Sequence, residues 1–441
     1  MEQLIFLDNA ATSFPKPESV YTFMDQFYRR AGVNPGRSGY DLCMEAGELL
    51  DNTRRLLTRF FNGSDFNRLC FTYNATDALN LILFGMLAEG DHAITTTLEH
   101  NSVLRPLYHL ARFGGVEVDY VPFDGAGFID PEEIRNRFRP NTRLVIVNHA
   151  SNVIGTVQPI REIGRYCREH GIPFAIDASQ TAGHLAIDVV KDNVDLLAFT
   201  GHKSLLGPTG IGGVYVREGI TVRQTRAGGT GVRSAERLHL EEYPFRLEYG
   251  TPNILGAAGL HAGVNWIQQR GIDTIHGQEM ALASQLREGL ELIEGIRLYC
   301  QDSLTNHLSV MSFNIEGLEA GETGTMLDVD HGIACRTGLH CAPLVHEQLG
   351  TAKIKGSVRF GIGPFNTEDH IQAAVKAVAE IAAMNIGRRK PRVAISKACE
   401  PATSAIAQGM PEMEVKGKAL GRPALIPQMN RSYETSNPND S

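Results

Sequence analysis

No two cysteines of this 441-residue chain are spaced as a CxxC pair. There are seven, Cys43, Cys70, Cys167, Cys300, Cys335, Cys341 and Cys399, odd in number and scattered. That argues against a disulfide framework and against a structural zinc site, and no metal is expected. Excess positive charge is also missing. The net charge is -8 and the basic residues are spread along the chain, so neither nucleic acid nor an anionic membrane surface is an expected partner. No apolar run is long enough to cross a bilayer. The opening "MEQLIFLDNAATSFPK" lacks a basic start followed by an apolar signal core, so the expected location is cytoplasmic. No internal repeat is visible.

What is present is a composition 42% hydrophobic, enough for one large domain and a smaller one. Between Leu69 and Val216 the runs "RLCFTY", "HAITTT", "VEVDYVPF", "RLVIVNHA", "IPFAIDA", "VDLLAFT" and "GGVYV" read as strands. "TDALNLILFGML", "NSVLRPLYHLARF" and "IREIGRYCREH" read as helices between them. Near-continuous apolar strands alternating with helices predict an α/β fold with a mostly parallel sheet covered on both faces. The last third reads as a smaller α+β region. "GAAGLHAGVNWIQQRG" and "EMALASQLREGLELIEGI" are helical, "HLSVMSFNIEG" and "SVRFGIG" are strands, and a helix opens at the cap-like Thr367. The expected division is 15–255 for the large domain and 1–14 with 256–387 for the small one. A tail of irregular composition follows over 388–441, read as disordered.

Parallel sheets bind ligands beyond the carboxyl ends of their strands, and several chemically capable residues fall there. "DLLAFTGHKSLLGPTGIGG" places Lys203 directly after an apolar run, either pointing into water or holding a cofactor as a Schiff base. Asp177, at the end of "IPFAIDASQ", either caps a following helix or faces a protonated heterocycle such as the pyridinium of pyridoxal phosphate. Gln180 is three residues on. Asn152 sits on a loop after a strand, and His100 between a strand and a helix. In "FTYNATDALN", Ala75, Thr76 and the first-turn amides could hold a phosphate, although Asp77 would repel one unless it points away.

The ordered segments "LDNAATSFPKP", "EHNSVLRP", "NHASNVIGT", "DASQTAGH", "TGHKSLLGPTGIG", "EYGTPN" and "RTGLHCAP" resemble the motif series of class V, fold-type I pyridoxal-phosphate enzymes. Within that class they are most similar to cysteine desulfurases with a compact cysteine loop, whose cysteine passes sulfur on poorly without a helper. The resemblance implies that Lys203 carries the cofactor, His100 stacks on its ring, Asp177 pairs with the ring nitrogen and Gln180 meets the ring hydroxyl. It implies a phosphate site of Ala75, Thr76, Thr200 and His202, completed by Thr251 of a second subunit in a homodimer. Asn152 and Arg359 would hold the substrate carboxylate, as the planar guanidinium suits. Cys341 would take the sulfur of L-cysteine as a persulfide and pass it to an acceptor protein, for example in iron–sulfur assembly. Its neighbours Arg336, His340 and Pro343 predict an exposed polar loop, and the basic ones favour a thiolate. Cys335 reads as a strand residue that could be a second thiol. Selenocysteine lyase (with L-selenocysteine as substrate) and class V aminotransferase are the alternatives within the same chemistry. A non-catalytic scaffold has no chemical need for Lys203, Asp177, His100 and Arg359 together.

Overall fold

The computed structural model describes residues 4–35 and 38–388, so the expected tail lies outside the described residues from 389 on. The chain opens with a short strand β1 (Ile5–Phe6) and helices α1 (Glu18–Ala31) and α2 (Asp41–Phe60). There follow β2 (Leu69–Thr72), α3 (Ala75–Met86), β3 (His92–Thr96), α4 (Asn101–Phe113), β4 (Glu117–Val121) and α5 (Pro131–Arg135). The series continues with β5 (Thr142–Asn148), α6 (Ile160–Glu169), β6 (Phe174–Asp177), β7 (Leu196–Thr200) and β8 (Gly212–Val216). All seven apolar runs read as strands are therefore the strands β2 to β8. They form one sheet in the order β2-β8-β7-β6-β5-β3-β4. Only β8 runs against its neighbours, and every other pairing is parallel.

The apolar continuity of these strands follows from burial on both faces. Along β5, Leu144 and Ile146 join one core with Leu196, Ala198 and Val214, beneath Leu79 and Ile82 of α3 and Leu107 of α4. Val145 and Val147 point the other way, into a core with Ile94, Ile176, Leu197 and Phe199, covered by Ile163 and Cys167 of α6. Helices on both faces make the three-layer arrangement. The carboxyl ends of β2, β3, β5, β6 and β7 lie on one edge, and the loops that leave them build the site.

The remaining elements are α7 (Ile254–Arg270), α8 (Ile272–Glu291), β9 (Ile296–Leu298), β10 (Val310–Ile315), α9 (Ala320–His331), β11 (Ile333–Ala334) and β12 (Arg336–Gly338). They end with α10 (Pro343–Gln348), β13 (Ser357–Gly361) and α11 (Glu368–Arg388). Helix α7 shares a core with α1 and α2 through Ile254, Ala258, Phe27, Ala31, Ala46 and Leu49. The antiparallel sheet β12-β13-β10-β9 packs Phe313, Val358 and Phe360 against Leu286 and Leu290 of α8 and Ile371, Val378 and Ile381 of α11. Thr367 caps α11 as read, its hydroxyl accepting from the His370 amide at 3.4 Å. The first residues close the chain back on this region, because β1 pairs in parallel with β11. No described helix is long and apolar enough to cross a membrane.

Candidate active site

Lys203 lies in the turn just past β7. Its backbone is held from the N-terminal segment. The His202 carbonyl accepts from Ser13 N at 3.2 Å, Thr12 Oγ1 at 3.0 Å and Lys16 Nζ at 2.6 Å, and the Lys203 carbonyl accepts from Ser13 Oγ at 2.9 Å. On the other side the loop after β6 presses close at Gly183 (φ +88°), where a Cβ would fall 2.3 Å from the Ser204 carbonyl oxygen. Burial pulls the Lys203 amine down to about 8, opposed by the negative charge of Asp177 and reinforced by Arg359 and Arg336. The side chain is half-buried rather than free in water.

Asp177 ends β6 and is buried. No helix follows it, which removes the capping alternative, and its Oδ1 accepts from Ser179 N at 2.9 Å and from Ser179 Oγ. Gln180 is also buried, with Nε2 donating to the Ala10 carbonyl at 3.0 Å. His100 is the N-cap of α4, its Nδ1 accepting from Ser102 N at 3.0 Å. Burial, then the charges of Lys203, Arg336 and Arg359, hold this imidazole down to about 3, so it is neutral with its proton on Nε2.

Helix α3 begins at Ala75 and Thr76. Asn74 caps it by accepting from Asp77 N at 3.0 Å, which leaves the amides of Ala75 and Thr76 without an intrahelical partner. Asp77 is turned away from this end, accepting from Tyr73 N and paired with Arg226, so its charge is neutralised. The helix start and the end of β7 touch through Gly212, where a Cβ would meet the Phe199 oxygen at 2.7 Å and Asn74 Cα at 2.8 Å. Beside them, buried Thr200 Oγ1 and His202 Nδ1 have no hydrogen-bond partner. Thr251 is exposed on the wall of a cleft of about 550 Å³ that also includes Tyr73, Asp77 and Gly210.

Arg359, on β13, is fully buried. Its Nη1 donates to the Asn152 carbonyl at 2.9 Å and its Nη2 to Asp8 Oδ1 at 2.6 Å, while Nε is unpartnered. Asn152 Nδ2 donates to the His340 carbonyl at 2.8 Å and Oδ1 is unpartnered. Asp8 was not singled out from the sequence, although it occupies one arm of the guanidinium.

Cys341 follows β12 and adopts φ +59° next to His340 at φ +48°. Its Sγ accepts from Arg336 Nη2 at 3.1 Å and its carbonyl accepts from Asn101 N at 2.7 Å. The expectation of an exposed loop is corrected here. His340 is buried, with Nε2 at 3.1 Å from both the Ser357 carbonyl and hydroxyl oxygens, and Cys341 is half-buried. Cys335 occupies the break between β11 and β12 rather than a strand, and burial pushes its thiol up to about 12. Arg336 ties the group together, since the guanidinium that touches Cys341 also acts on His100 and Lys203.

The family model described as Aminotransferase class-V matches residues 5–374. The chain belongs to the class V aminotransferase family. A probable cysteine desulfurase from Pyrococcus abyssi is 35% identical over 388 residues, covering 86% of this chain and 94% of that protein. One from Methanothermobacter thermautotrophicus is 34% identical over 385 residues, covering 86% and 95%. Among solved structures, the apo cysteine desulfurase from Thermococcus onnurineus superposes with a TM-score of 0.78 at 33% identity, over 86% of this chain and 95% of that one.

Class V enzymes use pyridoxal phosphate. The residues present fit it. The unpartnered Thr200 Oγ1 and His202 Nδ1 beside the open amides of α3 suit a phosphate, buried Asp177 suits a protonated ring nitrogen, and a half-buried amine near 8 suits covalent capture. This last property gives a prediction. Capture needs the free amine, whose fraction grows as pH rises to the amine's own value. The rate at which cofactor-free protein takes up pyridoxal phosphate should therefore climb about tenfold per pH unit below 8 and flatten above it. Stopped-flow absorbance checks this, and a rate still climbing at pH 10 would contradict the depressed amine.

One group near the site was missed in the sequence. Glu99 is buried, with Oε1 accepting from Thr96 Oγ1 and from Asn148 N, both at 2.8 Å, and Oε2 unpartnered. Burial raises it to about 8, so it is protonated at neutral pH and ties the ends of β3 and β5 directly behind His100. Only its neighbour His100 gave a sequence signal.

Proposed function

We propose that this class V enzyme is a pyridoxal-phosphate-dependent cysteine desulfurase that converts L-cysteine to L-alanine and receives the sulfur on Cys341. The observation that carries the reading is Arg336, which holds the Cys341 sulfur at 3.1 Å while its charge reaches the Lys203 amine. A thiol and a half-buried lysine that share one arginine belong to one reaction space.

In this reading Ala75, Thr76, Thr200 and His202 hold the phosphate, Asp177 keeps the ring nitrogen protonated, and Gln180 and His100 fix the ring. The bound cofactor supplies an electron sink for the substrate's α-carbon. Lys203, once released, takes the proton from that carbon. Arg359 and Asn152 orient the carboxylate, using the unpartnered Nε and Oδ1. The Cys341 thiolate then gives an electron pair to the substrate sulfur. A sulfur–sulfur bond forms, and the carbon–sulfur bond breaks with its pair remaining on carbon. Protonation of that carbon, and return of a proton from Lys203 to the α-carbon, yield alanine and leave a persulfide on the enzyme.

A homodimer belongs to the same reading. It is supported by exposed Met44 and Tyr73 on the cleft that holds Thr251, which would reach the phosphate of the partner subunit, and by exposed Tyr40 and Leu42 at the start of the helix that carries Met44. The acceptor is proposed to be a protein, with iron–sulfur assembly one use of the sulfur. Cys70, Cys167, Cys300, Cys335 and Cys341 form no disulfide, which fits a reducing compartment and the proposed cytoplasmic location. The two-domain division at 255/256 also remains a proposal.

Incubation of the holoenzyme with L-cysteine, followed by mass spectrometry of the Cys341 peptide, tests the reading. One added sulfur on that peptide, matched by stoichiometric alanine, is expected. Alanine formed with every added sulfur on another cysteine would place the acceptor elsewhere.

A further inference from the structure

We propose that Ser102 is a positioning residue that couples the phosphate cradle to the imidazole of His100. This rests on the reading of Thr76 as a phosphate ligand and His100 as the group against the ring. The three side chains form a continuous file. Thr76 Oγ1 lies 2.8 Å from Ser102 Oγ, and Ser102 Oγ lies 2.7 Å from His100 Nδ1. Ser102 is buried, so water does not replace a missing partner.

The direction of the file follows from its fixed end. Ser102 N points at His100 Nδ1 from 3.0 Å, and a backbone amide only donates. His100 Nδ1 is therefore an acceptor. At 2.7 Å the Ser102 hydroxyl must give its hydrogen to that nitrogen, since two lone pairs would otherwise face each other. The Ser102 oxygen then accepts from Thr76. Every hydrogen in the file is used.

A phosphate dianion in the cradle offers acceptors only. Thr76 has a single hydroxyl hydrogen, and giving it to the phosphate leaves two bare oxygens 2.8 Å apart. Ser102 resolves this by rotating its own hydrogen towards Thr76. His100 Nδ1 then keeps only the amide and faces the lone pairs of the Ser102 oxygen at 2.7 Å. Having lost a donor and gained a facing lone pair, this nitrogen becomes more basic, since a proton on it would relieve the repulsion. Phosphate binding is thus passed to the imidazole as a change in its affinity for protons. Lys203, Arg336, Arg359 and Arg105 face the same ring and depress its basicity. They act with or without phosphate, and so set the baseline rather than the change. Buried Glu99 sits on the preceding residue and is neutral in both states.

The experiment compares full-length holoenzyme loaded with pyridoxal phosphate against the same chain loaded with pyridoxal, which links to a lysine but lacks the phosphate. Histidine nitrogen-15 spectra are recorded for both, the His100 signals being identified by their loss in His100→Gln. In the wild type the Nδ1 resonance should differ between the two loads. In Ser102→Ala that difference should vanish, with Nδ1 near the wild-type pyridoxal phosphate position in both. A difference of undiminished size in Ser102→Ala overturns the coupling, as does a protonated Nδ1 in the pyridoxal-loaded wild type. Thr76→Val breaks the file at its other end, should abolish the same difference, and serves if Ser102→Ala does not fold. It also separates the two readings. It should reduce the preference for pyridoxal phosphate over pyridoxal about tenfold. An unchanged preference removes Thr76 from the cradle. A reduced preference with the spectral difference intact refutes the coupling alone.

Discussion

Lys203→Ala protein is expected to purify without the colour of a covalently held cofactor and to lose desulfurase activity by about 10³-fold or more, the scale set by removing a positioned proton-transfer group. The expectation follows from how specifically the turn is built. Four donors from Thr12, Ser13 and Lys16 fix the carbonyls of His202 and Lys203, so the side chain is delivered to one place. Lys16 is the amine best placed to act as a substitute, since burial lowers it to about 8 as well. Its Nζ, however, is already engaged by Ser13 Oγ and the His202 carbonyl. Borohydride reduction followed by peptide mapping checks the assignment. The wild type should carry the reduced adduct on Lys203 and the variant on no lysine. An adduct on Lys16 in the wild type, or full activity in Lys203→Ala, would refute the role given to Lys203.

Cys341→Ala is expected to separate binding from sulfur transfer. The variant keeps Lys203, Asp177 and the phosphate cradle, so it should hold the cofactor with unchanged absorbance and still change spectrum when L-cysteine is added. Sulfide and alanine production should fall to background, because no other described thiol is suited to replace it. Burial raises Cys335 and Cys300 to about 12, and Cys167 higher still. Cys341 has what those lack, a guanidinium hydrogen on its sulfur. Sulfide release at the wild-type rate would mean that the sulfur is accepted elsewhere.

The large sheet was legible in the sequence because its strands are buried on both faces, so each is an unbroken apolar run. The site residues after those strands were legible for the same reason, as polar groups set at the ends of such runs. What escaped depends on pairs far apart in sequence or on residues that resemble ordinary surface. The Asp8–Arg359 pair joins the first and last parts of the fold, and no local pattern announces it. Ser102 reads as a first-turn helix residue until Thr76 is seen beside it. His340 looked like loop surface because its partner Ser357 lies on a different strand. Helix α2 carries a helical stripe of buried Cys43, Ala46, Leu50, Arg54 and Leu57, but the charged residues around it resemble ordinary surface.

Residues 8–16 reach Arg359 through Asp8, Gln180 through the Ala10 carbonyl, and the Lys203 turn through Thr12, Ser13 and Lys16. They are made well before their partners at 180, 202, 203 and 359. The candidate site cannot be completed until residue 359 has been made. A segment waiting so long for its neighbours makes the closing of this site one of the most non-local steps of folding.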